Sequence, residues 1–399
     1  MSHALIRNEY LGDVSVSVEG NKRSKPQLIE SLVEKCLEKR EFKKWDAVDA
    51  ASLKQCIANS RLFSEVAVEV QQPKIHVSIK ERWTLIPIPM AYAANEKRSV
   101  GVFVFDSNLL GYGKIVGVGG AASTEGNTAS LFYLDPSVNF SDYTLRISAM
   151  GSSAEFDAYD RTTIIYGFHK REESFSFSPG YKITPSLEMS LSLNYADKHY
   201  SQIDQYTVPE NYWAWSAGAR ISYTDSDYKL FYNDGLSGQV VWTDQMQRSG
   251  NGRRISNITA RIEWDILVFD KHALQFALNA ANQSDATAGD VSMFGRTRGY
   301  RGIQPNGLWT SKIVAGSVDY QIPLAKMKHG TVTVAPFADY GVYKPFFPGT
   351  GSNYAAYGIG AYYFVNIINL PGIGLQAGVN EHFMGAFVAF QIGMAFGPR

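Results

Sequence analysis

Residues 295–302 read Gly295-Arg296-Thr297-Arg298-Gly299-Tyr300-Arg301-Gly302 and lie between two long segments in which apolar and polar residues alternate. Glycine lets the backbone adopt positive φ angles and approach other parts of the chain closely. Arginine presents a planar fork of donors that matches a carboxylate. Because three residues of each kind fall within eight positions, we expect this loop to fold back onto the protein and to be held by an acidic side chain. The candidate loop motif comprises Arg298, Gly299, Tyr300, Arg301 and Gly302.

Apolar and polar residues alternate through most of the chain from about residue 96 onward. In two of the clearest segments, every second residue is apolar: Leu187, Met189, Leu191, Leu193 and Tyr195 in one, and Ile258, Ala260, Ile262, Trp264 and Ile266 in the other. The positions between them are polar, small or charged. Strands of this length, with aromatic residues near their ends, are typical of a barrel with lipid outside and a polar lumen. A soluble β-sandwich is the alternative, but it seldom carries so many charges on its second face.

About sixteen such segments can be counted, in agreement with the even strand numbers of bacterial barrels. The sequence therefore predicts a mainly β protein in which residues 96–399 form a 16-stranded antiparallel transmembrane β-barrel. The arginine-rich segment falls in a long loop, residues 285–307, between the predicted eleventh and twelfth strands. We expect this loop to be inserted into the lumen.

The composition argues against several classes of protein. Lys and Arg together number 38, as do Asp and Glu, so the net charge of zero gives no reason to expect a nucleic-acid partner. A membrane-spanning helix needs about 18 or more consecutive apolar residues, and the sequence contains no such run. There is no nucleophile-elbow motif, and the seven histidines lack metal-ligand spacing. We therefore expect no enzymatic activity, metal or other cofactor.

Residues 11–82 follow a different pattern, with the order strand–helix–helix–strand–strand. Valines alternate with polar residues over 14–18 and again over 66–70, and two amphipathic helices are predicted from about Pro26 and Asp46. This order suffices for a small α+β domain.

Two features of the N-terminal region leave alternatives open. Cys36 and Cys56 fall one on each predicted helix, which is compatible with a disulfide and equally with two buried thiols. The first residues show no signal-peptide pattern, so we expect either a mature form or a further domain ahead of residue 1.

The segment 330–341 offers an acidic partner for the arginine loop. Its alternation places Phe337, Asp339 and Gly341 on the face that points into the lumen. A lone inward carboxylate is costly unless it is solvated or paired. Arg298 is the first candidate partner for Asp339, with Arg301 as the second. The alternative is that Asp339 is a solvated lumen acid and Arg298 an ordinary loop cation.

Several motifs resemble those of the BamA/TamA/FhaC superfamily of outer-membrane assembly and secretion proteins. Thr297-Arg298-Gly299-Tyr300 resembles the (V/I)RG(F/Y) motif of that family's sixth extracellular loop, with threonine in place of the aliphatic residue. Phe337-x-Asp339-x-Gly341 matches the FxDxG motif of its thirteenth strand, and residues 106–113 resemble its turn after the first barrel strand. Residues 11–82 resemble the family's periplasmic POTRA domain. The resemblance implies a bacterial outer-membrane barrel whose loop arginine meets the strand aspartate.

The resemblance also implies a lateral gate, a weakly paired seam between the first and last barrel strands. On the strand count above, these would be residues 98–105 and 384–396. The candidate seam residues are Val100, Val102, Val104, Phe387, Phe390, Gly393 and Phe396.

By the same resemblance, the expected function is to insert client proteins into the outer membrane or to export them, by strand exchange at this seam. The expected partners are outer-membrane lipids, unfolded outer-membrane or secreted client proteins, and accessory periplasmic or lipoprotein subunits. One alternative is the translocator portion of a self-exporting protein whose N-terminal passenger, such as a patatin-like lipase, is absent here. A plain pore and the mitochondrial counterpart of the family are further alternatives.

Overall fold

The computed structural model describes residues 2–8, 11–94, 97–160, 163–203, 206–250, 254–269, 271–295, 297–304, 306–348, 351–365, 372–383 and 385–392. These residues form an N-terminal α/β domain followed by a closed β-barrel. None of the helices in the described part of the chain is both long and apolar enough to cross a membrane.

The N-terminal domain packs two helices on a four-stranded sheet. Its elements are β1 (Ser2–Asn8), β2 (Gly12–Glu19), α1 (Pro26–Lys39), α2 (Ala50–Ala58), β3 (Phe63–Gln71) and β4 (Lys74–Glu81). The strands lie in the order β1-β2-β4-β3, with β2 parallel to β4. The predicted strand–helix–helix–strand–strand order is present, and β1 adds a strand ahead of it. The apolar helix faces and the inward valines of the sheet share one buried core, in which Cys36 and Cys56 are joined by a disulfide.

In the part of the chain that the structure describes, seventeen strands make up the barrel. They are β5 (Leu85–Ala94), β6 (Lys97–Leu109), β7 (Lys114–Ser123), β8 (Gly126–Asp135), β9 (Tyr143–Asp160), β10 (Thr163–Thr184), β11 (Leu187–Gln202), β12 (Tyr212–Lys229), β13 (Tyr232–Arg248), β14 (Ser256–Val268), β15 (His272–Gln283), β16 (Ser292–Phe294), β17 (Leu308–Met327), β18 (Gly330–Pro345), β19 (Asn353–Val365), β20 (Ile373–Asn380) and β21 (Gly385–Ile392). The long strands are joined antiparallel in sequence order, and β21 returns to β5 to close the ring. The short β16 pairs with residues 308–310 of β17, beyond the part of β17 that pairs with β15. Within the described residues, sixteen long strands therefore form the ring, against the sixteen that the sequence predicts, and the short β16 extends the ladder as a seventeenth.

The barrel begins earlier than the sequence predicts. Its first strand is β5, not residues 98–105, which lie in the second strand, β6. Pro87 and Pro89 hide β5 in the sequence, because proline within a run argues against a strand. Residues 85–94 therefore belong to the barrel, which begins at Leu85 instead of residue 96.

The N-terminal domain sits on turns at one end of the barrel, the end opposite the loop between β15 and β17. At the β6–β7 turn, the Asn108 amide donates to Ser24 Oγ at 2.9 Å, and the Lys25 N–H donates to the Gly111 carbonyl at 2.9 Å. A Cβ at Gly111 would lie 2.1 Å from the Arg23 carbonyl oxygen, so this contact requires glycine. The turn that resembles a family motif therefore serves as the docking surface for residues 23–25.

Helices α1 and α2 contact a second turn, between β12 and β13. Arg40 forms an ion pair of 2.7 Å with Asp227, whose carboxylate also accepts from the Asn59 amide at 2.9 Å. The Arg61 guanidinium lies 4.2 Å from the centre of the Tyr228 ring. Polar contacts of this kind hold the domain over one opening of the lumen.

Glu81, at the end of β4, supports the docking segment. Its carboxylate accepts the backbone N–H groups of Arg23 at 2.9 Å and of Ser24 at 2.6 Å. Burial opposes ionisation of Glu81, but these hydrogen bonds outweigh it, so its pKa lies below the ordinary glutamate value. The ionised Glu81 thus stabilises the folded segment. This stabilisation is fully present when the pH is above the ordinary glutamate pKa, and it is lost as the pH falls through the lowered pKa of the folded state.

We predict that Glu81→Gln lowers the hydrogen-exchange protection of residues 22–25 at neutral pH, because the amide oxygen accepts these N–H groups more weakly than a carboxylate. In the wild type, the same protection should fall as the pH drops below the ordinary glutamate pKa, after correction for the intrinsic exchange rate. The matched control is Glu65→Gln, which removes an exposed ion pair with Lys80 and should change little. Equal protection in the Glu81→Gln protein and the wild type would contradict the role of this carboxylate.

Candidate functional site

The described part of the arginine loop, residues 285–307, turns into the barrel, and its residues 299–304 are buried. The side chains of Tyr300, Arg301 and Ile303 are almost fully buried. Tyr300 and Ile303 pack in one apolar cluster with Tyr354 on β19 and with Phe383. The tip of the loop therefore packs against side chains of the barrel strands.

Two aspartates on neighbouring strands receive Arg301. Asp319 on β17 and Asp339 on β18 are both buried, and Ser317 is the residue directly opposite Asp339. The Arg301 Nη2 atom lies 2.8 Å from Asp319 Oδ2, and its Nη1 atom lies 3.6 Å from Asp339 Oδ1. Its guanidinium also lies 4.1 Å from the centre of the Phe337 ring. Arg301 is thus the buried cation of the site, held between two carboxylates and an aromatic face.

Asp339 binds mainly the backbone of the loop. Its Oδ2 atom accepts the N–H groups of Gly299 at 3.0 Å and of Arg301 at 3.1 Å. The Ser317 hydroxyl donates to its Oδ1 atom at 2.7 Å. Gly299 has a φ angle of +89° at this turn, a conformation that favours glycine. Asp339 therefore determines the shape of the turn in addition to compensating the charge of Arg301.

The predicted pairing of Arg298 with Asp339 is wrong. Arg298 Nε instead lies 2.8 Å from Asp319 Oδ2, and the second candidate, Arg301, is the arginine that reaches Asp339. The prediction missed Asp319. The available signal was its position on the lumen face of β17, where Ser317 and Gln321 are also buried. Two arginines and two aspartates make up the cluster, instead of one of each.

The remaining motif residues fit around this cluster. Phe337 lies beneath Arg301, and a Cβ at Gly341 would lie 2.4 Å from the Tyr354 ring, which donates its hydroxyl to the Gly299 carbonyl at 2.5 Å. Gly341 is therefore required for the position of Tyr354, which in turn binds the loop. Each of the three FxDxG residues thus has a separate contact role.

The loop also contacts the last two strands. The Arg301 carbonyl accepts the Asn380 amide of β20 at 3.0 Å. Gly302 has a φ angle of +69°, and a Cβ there would lie 2.6 Å from Asn380 Cβ and 2.7 Å from the Phe387 ring of β21. The Phe387 ring lies tilted against the Phe337 ring, with ring centres 6.4 Å apart. The arginine loop therefore packs against the strand that closes the barrel.

A second anchor holds the beginning of the loop on the opposite wall. Asp290 is buried, and its carboxylate lies 2.9 Å from Arg248 Nη1 on β13 and 3.7 Å from Lys198 Nζ on β11. Tyr212 on β12 donates its hydroxyl to Asp290, and the Arg248 guanidinium lies 3.5 Å from the centre of the Tyr212 ring. The Thr287 hydroxyl donates to the same carboxylate at 2.8 Å. No sequence motif pointed to this anchor.

The seam lies between β21 and β5, so the predicted seam residues Val100, Val102 and Val104 are one strand away from it, on β6. Phe387 and Phe390 are on β21, as predicted. Gly393 and Phe396 fall outside the described residues. The error has the same cause as the missed first strand, the prolines of β5.

The backbone nitrogens of Pro87 and Pro89 face the seam with β21. The Ser107 N–H donates to the Thr84 carbonyl at 3.1 Å, and the register pairs Leu85 with Asp106 and each following residue in turn. Hydrogen-bonded pairs alternate in an antiparallel ladder, so even-numbered residues of β5 bond to β6. The backbone nitrogens of residues 87 and 89 therefore point toward β21. Both are prolines, so β5 lacks two N–H donors at the seam.

Within the described residues, no group of three or more His, Cys, Asp or Glu side chains could hold a metal ion.

We predict that Arg301→Ala destabilises the barrel far more than Arg298→Ala. Without Arg301, two buried carboxylates lose their shared cation, a change that costs about 3–5 kcal/mol. Arg298→Ala leaves Asp319 paired with Arg301 and should cost roughly 1–2 kcal/mol. Urea unfolding in detergent micelles measures both values. The double variant Arg301→Ala/Asp339→Ala should cost less than the sum of its single variants; strict additivity would show that the two residues are not coupled.

We predict that Asp290→Ala frees the beginning of the loop while the Arg301 cluster stays in place. Hydrogen exchange should accelerate at least about tenfold over residues 285–292, because the buried carboxylate accepts several charge-assisted bonds, and should change little over 298–301. Thr287→Ala removes a single hydroxyl donor to the same carboxylate and is the graded control. If residues 298–301 were released together with 285–292, the two anchors would be a single cooperative unit.

Residues 108–379 match the Omp85 superfamily domain. The fold is similar to BamA from Haemophilus ducreyi lacking POTRA domains 1–3, with a TM-score of 0.59 and 14% identity over 98% of this chain and 88% of that chain. It is also similar to CdiB from Escherichia coli, with a TM-score of 0.60 and 11% identity over 98% and 80% of the two chains. For CdiB from Acinetobacter baumannii the TM-score is 0.58, with 14% identity over 94% and 72%.

No curated protein matches the sequence. At these identities the similar structures show the fold alone. The family match, however, spans more than half of the 399 residues and includes the arginine loop, both aspartates and most of the barrel. The chain therefore belongs to the Omp85 superfamily, the BamA/TamA/FhaC-type group that its loop and strand motifs resemble.

Proposed function

We propose that this protein inserts client proteins into the bacterial outer membrane, or exports them across it, by strand exchange at the seam between β21 and β5. The observation that carries the proposal is the combination of a lumen loop bound to β20 and β21 with a first strand that lacks two seam-facing donors. A non-enzymatic mechanism follows, in which the free energy comes from burying apolar client strands in lipid. BamA-type insertion and CdiB-type secretion are both compatible with this geometry.

The outer surface of the barrel supports a position in the membrane. Large apolar side chains on alternate strand positions are exposed all around the ring, among them Leu191, Ile262, Val314, Ile359 and Val388. Contiguous exposed apolar surface of this extent marks a protein or membrane contact. In this proposal it faces outer-membrane lipid.

The seam supports strand exchange by β-augmentation. A client strand that approaches β21 or β5 would find backbone groups that their own ladder does not fully use, and main-chain hydrogen bonds would guide its pairing. Pro87 and Pro89 weaken the pairing between β5 and β21, because neither residue has an N–H group to donate across the seam. In this proposal the two prolines lower the barrier to opening.

The arginine loop argues against a plain pore. It fills part of the lumen and is bound at two places, by the Arg301 cluster and by Asp290. A barrel of this kind should conduct ions poorly, whereas a plain pore conducts steadily.

We further propose that the N-terminal domain is a POTRA-like module in the periplasm, where it receives unfolded clients or accessory subunits. Its two helices on a mixed sheet and its position over one barrel opening support this role. The alternative of a translocator for a passenger domain keeps the same barrel and differs in the client, which would be part of the same polypeptide.

We predict that Pro87→Val/Pro89→Val strengthens the seam and slows client insertion. Each restored N–H can donate to β21, and a ladder hydrogen bond contributes roughly 0.5–1.5 kcal/mol. The folded barrel should resist heat to a higher temperature, while the rate of client insertion into liposomes should fall. Pro179→Val, on β10 away from the seam, is the matched control and should leave the insertion rate unchanged.

A disulfide screen separates opening of the seam from general stability. Cysteine pairs placed across β5 and β21 should block insertion until they are reduced. The Ile88→Cys/Phe103→Cys pair lies across β5 and β6, which are directly paired at these residues, and should have no effect. Full activity in every seam-locked protein would rule out strand exchange at this site.

A further inference from the structure

A cavity of about 460 Å³ lies inside the barrel, at the end covered by the N-terminal domain. Inward-facing residues of β9 to β14 form its wall, and Arg61 of the N-terminal domain contributes to its lining. The cavity is separate from the Arg301 cluster, since none of the residues around Arg301 lines it. Neither the family motifs nor the proposed function uses it.

Cationic side chains dominate this cavity. Five lysine and arginine side chains line it, together with two glutamates. The cations are Arg61, Arg146, Lys182, Arg220 and Arg261, and the anions are Glu188 and Glu263. The remaining lining residues are uncharged, so the excess positive charge is not balanced within the cavity.

The two glutamates are already engaged. Glu188 lies 2.7 Å from Arg146 Nη2, and Glu263 accepts from Arg261 Nε at 3.2 Å. The pairing of Arg146 with Glu188 leaves a guanidinium donor unused. The Nη1 atom of Arg146 is buried without a hydrogen-bond partner among the described residues.

Among the described residues, neither Lys182 nor Arg220 forms an ion pair with a carboxylate. Lys182 Nζ donates to the Pro136 carbonyl at 2.8 Å. Arg220 makes no hydrogen bond or ion pair within the part of the chain that the structure describes. Arg146 is close enough to repel Arg220, and Glu188 attracts it.

Like charges held together in a partly dehydrated space repel strongly, because the effective dielectric constant is far below that of water. A multivalent oxyanion would relieve this repulsion and would accept from the unused guanidinium donors, whose planar forks match phosphate and carboxylate groups. A volume of 460 Å³ admits such an ion together with water. We propose that this cavity is a binding site for small multivalent oxyanions of the phosphate or carboxylate class. The inference does not depend on the proposed client function.

The test is calorimetric titration of the full chain with inorganic pyrophosphate, at low salt and in a nonionic detergent. The wild type should bind saturably. Arg220→Gln should weaken binding about tenfold, because it removes one charge-assisted donor and leaves both glutamates with their partners. Arg220→Lys, which keeps the charge but not the fork, should recover part of the affinity.

The matched control is Arg171→Gln, which removes the same charge from the exposed outer face of β10, where Arg171 pairs with Glu173. It should bind pyrophosphate as the wild type does. If Arg220→Gln does not fold, Lys182→Gln replaces it with the same expected loss of affinity. The proposal is overturned if the wild type shows no saturable binding, or if the Arg220→Gln protein (or Lys182→Gln in its place) binds pyrophosphate as tightly as the Arg171→Gln protein.

Discussion

The geometry of the lumen depends on one buried cation, Arg301, held between Asp319 and Asp339. A guanidinium taken out of water is tolerated only when its charge and its donors are compensated. Here the compensation comes from two adjacent strands, and it requires Asp339 opposite Ser317 with Asp319 two residues further along the same face. A slip of one residue between β17 and β18 would turn one of the carboxylates away from the lumen. The cluster thus favours one arrangement of loop and strands above all others.

This arrangement connects the loop to the seam. The Arg301 carbonyl binds Asn380, and Gly302 leaves space for Phe387, so the loop supports β20 and β21 from inside the barrel. On the other side of the seam, Pro87 and Pro89 leave β5 short of two donors. The closing strand therefore relies on contacts with the loop as well as on its own ladder. Any movement of the loop changes the support of β21 directly.

Much of this architecture could be predicted from sequence, because period-two alternation indicates which face of each strand points out of the barrel. Local patterns of this kind were enough to predict the arginine loop, the lumen face of β18 and the two helices. The first strand, β5, could not be predicted, because Pro87 and Pro89 within its sequence argue against a strand. Asp319 was missed because a single acid in an alternating strand does not reveal which of several cations it will meet. The Asp290 anchor joins residues on four separate segments, and only tertiary structure brings them together.

The N-terminal domain and the arginine loop contact the barrel with different strength, and this difference indicates which of them moves. The N-terminal domain meets the barrel through ion pairs that remain partly exposed, such as Arg40 with Asp227 and Lys39 with Asp225. Exposed pairs contribute at most about 1 kcal/mol each. The ion pairs of Arg301 are almost fully buried, and breaking them without replacement costs several times more. A swing of the domain away from the lumen is therefore energetically easier than withdrawal of the loop, so the opening beneath the domain can be uncovered while the barrel keeps its internal support.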